Sequence, residues 1–113
     1  MPESEAVVVL VTTAGQQEAE ALSRALLEAR LCACVTILPH ATSLFHWEGK
    51  VDVAQEALLV IKSTREALPA LVEGVKSRHS YQTPEIIALP VVGGSEQYLS
   101  WLVSETRLPP GYT

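Results

Sequence analysis

The 113 residues carry a formal net charge of −5 and 48% apolar side chains, which is the size and make-up of one globular domain around one core. A pI near 5.1 leaves no basic footprint for phosphates, so nucleic acid and anionic membrane surfaces are excluded as partners, and no apolar run nears the ~18 residues of a spanning helix. The acidic start Met1-Pro2-Glu3-Ser4-Glu5 lacks the positive region of a signal peptide. Cys32 and Cys34, the two cysteines, are too close along a strand for an unstrained disulfide and too few for structural zinc. A cytoplasmic protein with reduced thiols is expected. The positive mean hydropathy, +0.21, hints that some apolar surface is hidden between subunits.

Along the chain, Ala6 to Val11 is a β-branched run of strand length, ended by Thr12-Thr13-Ala14-Gly15. From Gln16 to Arg30, Leu22, Ala25, Leu26 and Ala29 keep helical spacing, and Glu18, Glu20 and Glu28 read as its solvated face. Leu31 to Leu38 is again strand-like, and Pro39 suits a bulge or an edge because it cannot donate to a ladder. The strand resumes as Thr42 to Trp47, turns at Glu48-Gly49 and returns from Lys50-Val51 to Ile61 as a long hairpin.

A second helix begins either with a capping box from Ser63 to Glu66 or nearer Ala67, because Pro69 is comfortable only in a first turn. Leu68, Leu71, Val72 and Val75 keep its apolar spacing, and Lys76 to Pro84 shows no clear period. Glu85 to Val92 reads as a strand, Gly93-Gly94-Ser95 stops it, and a last helix runs from about Glu96 to Glu105. Residues 1–5 and 108–113 read as tails of a single domain spanning 1–113. The expected class is therefore α/β (α+β), a ferredoxin-like βαββαβ domain with an antiparallel sheet, a long central hairpin and an extra C-terminal helix.

The segment from Arg78 to Glu85 gathers the chemically useful side chains: His79 ligates metals or moves protons, Tyr81 is a phenol and Glu85 a carboxylate. It reads equally as a connection whose polar groups serve local structure. Cys32 and Cys34 alternate onto one strand face, where they offer soft ligands to copper(I), although small buried thiols are more often packing residues. His46 and Trp47 at the hairpin end suit a partner contact better than catalysis. There is no phosphate-cradling glycine loop and no Ser/His/Asp spacing, so no catalytic residue is assigned and the chain is not read as an enzyme.

Taken together, Cys32 to Pro39, Ser43, Trp47-Glu48-Gly49-Lys50, Tyr81-Gln82-Thr83-Pro84-Glu85 and Tyr98-Leu99 with Trp101 resemble the CutA, or divalent-cation tolerance, proteins over nearly the whole chain. The resemblance implies a ferredoxin-like subunit in a tight homotrimer, kinship with PII signalling trimers, and a link to copper(II) or another divalent cation. Some members carry a cysteine where Val11 stands and a histidine where Arg78 stands, which leaves His79 of those three positions. Cys34 matches the cysteine most typical of the family. A metal set of His79, Cys34 and Glu85 is therefore expected. A PII-like regulator is the alternative, with a small metabolite in inter-subunit clefts lined by Trp47, Lys62, Tyr81, Thr83 and Glu85, and a purely structural trimer is a third possibility.

Overall fold

A computed structural model describes residues 5–108. Its elements are β1 (Ala6–Thr13), α1 (Gln16–Glu28), β2 (Cys34–Trp47), β3 (Lys50–Thr64), α2 (Leu68–Arg78), β4 (Ile86–Pro90) and α3 (Glu96–Glu105). The sheet order is β2-β3-β1-β4, and every neighbouring pair is antiparallel. Each strand-helix-strand half skips one strand, and the other half fills the gap, so the two halves interlock as the ferredoxin-like plan requires.

Period-2 alternation on β1 and β3 sends Val7, Val9 and Val11 together with Ala57, Leu59 and Ile61 to one face of the sheet. There they meet Ala19, Leu22 and Leu26 of α1 and Leu71 and Val75 of α2, which form the core. Gly74 permits close passage of α2: a Cβ there would stand 3.1 Å from Leu31 Cδ1 and 3.3 Å from Leu26 Cδ2.

The α2 start follows the Ala67 alternative, with Ala67 as N-cap and a proline in the first turn. The capping box does not form, because the Ser63 hydroxyl donates to the Leu31 carbonyl at 2.7 Å instead, and Thr64 Oγ1 accepts from Ala67 N–H. The helix also extends through Lys76 to Arg78, which the sequence left without a period. Cys32 and Cys34 do not share a strand face: Cys32 is buried in the core before β2 begins, while Cys34 opens the strand opposite Lys62. Leu108, expected in a tail, packs against the core, and Glu5 offers its carbonyl to Arg65 N–H. The remaining expected tail residues, 1–4 and 109–113, lie outside the described residues.

The β2–β3 hairpin outgrows the helices that cover the sheet. Its ladder runs unbroken from Trp47↔Lys50 to Ala41↔Glu56, slips by one residue at Pro39-His40 and resumes at Leu38↔Leu58. The bulge places His40 at φ 60, and proline's missing donor falls where the ladder has no use for one. At the tip, Glu48 (φ 50) and Gly49 (φ 79) both adopt the left-handed conformation of a type I′ turn.

Candidate functional site

The sheet face turned away from α1 and α2 carries the hairpin residues Ser43, Phe45 and Trp47 of β2, paired across to Ala54, Asp52 and Lys50 of β3. The connection between α2 and β4 stands beside this face and encloses with it a cleft of about 690 Å³. Asp52, Ala54 and Glu56 line it from β3, and Tyr81, Gln82, Thr83 and Glu85 line it from the connection. The structure brings Tyr81, Thr83 and Glu85 together in one wall, and Trp47 comes to them from the hairpin.

Glu56 forms the floor of the cleft and is only 8% exposed. Its Oε2 accepts a 2.7 Å hydrogen bond from the Tyr81 hydroxyl. Burial and that carboxylate push the Tyr81 phenol up to about 12, so it is a neutral donor across the physiological range. The carboxylate is held in place without losing both oxygens to the protein: among the described residues Oε1 of Glu56 has no hydrogen-bond partner.

His79 fixes the connection from beneath. The β1–β4 ladder ends at Val11↔Ile86, which leaves the Thr12 carbonyl at the sheet margin. His79 Nε2 supplies its missing partner at 2.6 Å, while Nδ1 accepts from Tyr81 N–H at 3.0 Å. Both ring nitrogens are therefore engaged, with the proton on Nε2, and the side chain is 0% exposed. The Tyr81 ring leans on the imidazole at a centroid distance of 4.9 Å.

Glu18 holds the same segment from α1. Its oxygens accept from Ser80 N–H at 2.8 Å, Ser80 Oγ at 2.9 Å and Ala14 N–H at 3.3 Å. Burial alone would raise its carboxyl, but the hydrogen bonds from Ser80 and Ala14 prevail and hold it below the usual range. Glu18 is thus not part of a solvated face, contrary to the helical pattern, because a connection distant in sequence folds over it.

The remaining expected site residues lie elsewhere. Lys62 sits opposite Cys34 toward the far end of β3, where its Nζ donates to Thr36 Oγ1 at 2.8 Å and to the Val60 carbonyl at 3.0 Å. It does not line the cleft. Cys34 contacts Tyr98 of α3, whose phenol is raised by burial and by that thiol. His79, Cys34 and Glu85 therefore do not converge within one subunit. Among the described residues no three His, Cys, Asp or Glu side chains are grouped to hold a metal ion. Glu56 and Asp52 were missed by sequence reasoning; the only signal was their even spacing from Ala54 on a strand whose register was not yet known.

A second pocket, about 500 Å³, opens between Arg65, Glu66 and Ala67 before α2 and Val103, Thr106 and Arg107 at the end of α3. It gathers none of the expected site residues.

Comparison with known proteins gives a consistent result. Residues 7–105 match the family model for the CutA1 divalent ion tolerance protein. The divalent-cation tolerance protein CutA of Thermus thermophilus is 46% identical over 99 residues, which cover 88% of this chain and 96% of that protein. The crystal structure of CutA1 from Oryza sativa superposes with a TM-score of 0.90 at 42% identity, covering 93% of this chain and 96% of the other. A structure described as the periplasmic divalent cation tolerance protein CutA of Archaeoglobus fulgidus gives 0.87 at 35% identity, covering 90% and 99%. No helix among the described residues is long and apolar enough to cross a membrane.

Proposed function

This chain belongs to the CutA1 divalent ion tolerance protein family, and from that premise we propose that it serves divalent-cation response as a homotrimer whose clefts are completed between subunits. The family is named for tolerance of ions and not for a reaction, and the reading assigns no catalysis. The observation that carries it is the hairpin. Phe45 and Trp47 are exposed on one of its faces and Leu44, Val51 and Val53 on the other. A two-stranded ribbon apolar on both sides is stable only when other chains cover it.

In this reading copper(II) or another divalent cation is held at the exposed carboxylate of Glu85 in the cleft, with further donors from a neighbouring subunit. Cys34 contributes only across subunits, and His79 only by giving up Thr12 or Tyr81. Free Cys32 and Cys34 suit a reducing, cytoplasmic setting. Calorimetric titration of copper(II) in moderate salt, on protein sized by light scattering, tests the reading. Saturable binding to a trimer that Glu85→Gln abolishes is the expected result. Unchanged binding in Glu85→Gln overturns the placement, and a monomer overturns the assembly.

A second reading, a PII-like regulator that binds a small molecule, is favoured by one specific observation. The cleft has the volume and mixed lining of a ligand site, with the Glu56 carboxylate on its floor oriented by Tyr81.

A further inference from the structure

Residues paired directly across neighbouring strands project to the same face of a sheet. On the face turned away from α1 and α2, Cys34, Lys62, Val8 and Leu89 form one such row across all four strands. The row beside it is Thr36, Val60, Leu10 and Ile87. Lys62 is the only charged side chain in the two rows.

A lysine on a free surface lays its stem on apolar neighbours and keeps its ammonium in water. Lys62 folds back onto the sheet instead, where Nζ donates to Thr36 Oγ1 at 2.8 Å and to the Val60 carbonyl at 3.0 Å. Both acceptors are neutral. An ammonium has three donors, and among the described residues no carboxylate pairs with this one. The charge is thus fixed in position over apolar surface and has no counter-charge within the described part of its own subunit.

Covering this face takes the ammonium out of water. A desolvated charge is tolerated when it is paired and its remaining donor is accepted. A second copy of the chain brings the sign that is needed. Each copy carries a net charge of −5, and the hairpin that outgrows its own subunit bears exposed Glu48 and Asp52.

We propose that Lys62 is a docking residue of the subunit interface, and that a carboxylate of a second copy of this chain accepts its remaining N–H. This rests on the homotrimer reading and names a polar contact within it. Replacing only the lysine leaves that carboxylate buried and unpaired, which costs more than the pair itself gains. A lysine covered without a partner predicts the opposite sign, because its removal relieves a buried charge.

Subunit exchange on the full-length chain tests the contact. Isotopically heavy and light protein, each sized by light scattering, are mixed in phosphate-free buffer at moderate salt, and mixed species are followed by native mass spectrometry. Lys62→Met, which keeps the length of the stem, is expected to speed exchange roughly tenfold or more, or to leave subunits unassembled with retained far-ultraviolet circular dichroism. Lys62→Arg, which keeps the charge, is expected to stay nearer to wild type. Exchange in Lys62→Met as slow as in wild type, or slower, overturns the carboxylate contact and leaves the trimer standing. A wild-type monomer overturns the trimer and this contact with it. An effect of Lys62→Met that emerges only when phosphate is added overturns the neighbouring carboxylate in favour of an ion from solution. Should Lys62→Met misfold, Lys62→Gln carries the same comparison.

Discussion

Tyr81 couples the cleft to alkaline pH through its hydroxyl. Its folded-state value, pushed up to about 12 from an ordinary 10, reflects burial first and Glu56 second. A raised folded value means that the associated stability is complete below pH 10 and is lost as pH rises from about 10 to about 12. In Tyr81→Phe this alkaline loss should disappear, together with a tyrosinate step near 12 in the ultraviolet titration. The variant should also be less stable by about 1–3 kcal/mol at neutral pH, because it strips a buried carboxylate of its donor. Glu18 works with the opposite sign: its lowered value means stability present above the unfolded carboxyl range and lost as pH falls through the folded one. Glu18→Gln should flatten that acidic limb and speed amide exchange at Ser80. Ser23 offers a contrast, since it is 5% exposed in α1 and its hydroxyl alone among the described buried side-chain atoms lacks a partner. Ser23→Ala should therefore raise stability by about 0.5–2 kcal/mol, read as a higher melting temperature at fixed protein concentration.

At the level of elements, most of the fold was legible because the patterns were local. The β-branched run of β1, the i, i+3, i+4 spacing of α1 and the bounds of α3 each need only a short window, and Pro39 marked the bulge through its missing donor. The site was less legible for a physical reason. Glu56 becomes a cleft floor only when β3 is docked beside β1 and the α2–β4 connection closes over it, and Glu18 meets Ser80 across 62 residues of chain. Local periodicity carries no record of either approach. Lys62 and Cys34 were expected near functional residues, but the register assigns them to the other end of the sheet. The turn, by contrast, was readable and is testable. Gly49 has φ 79 and nothing within 4 Å of a built Cβ, so a methyl group there meets no clash and only a conformational penalty. Gly49→Ala should destabilise the protein by about 1 kcal/mol through the left-handed backbone alone, and an asparagine at the same position should recover part of that loss.

The whole molecule has an unsolved problem of exposure if it stays a single chain. With order β2-β3-β1-β4, strands β2 and β4 are both open edges among the described residues, and the face opposite α1 and α2 carries Leu38, Ile87 and Leu89, each at least 45% exposed. Open edges invite pairing with other strands, and a soluble protein either blocks them or uses them. Here Pro90 closes β4 and the bulge interrupts β2, but the residues between are apolar, which suits a specific partner more than avoidance. The proposed homotrimer would satisfy both needs by joining edges around a closed ring and burying the three open faces together. Burying one leucine side chain is worth about 1.5–3 kcal/mol, so a charge placed there should act on assembly before it acts on the subunit core. Leu89→Asp leaves the core valines of β1 untouched, since Leu89 pairs with Val8 on the opposite face. Light scattering should then report a smaller species with retained far-ultraviolet circular dichroism. A trimer of unchanged mass in that variant would mean that the β4 face is not the surface through which the subunits meet.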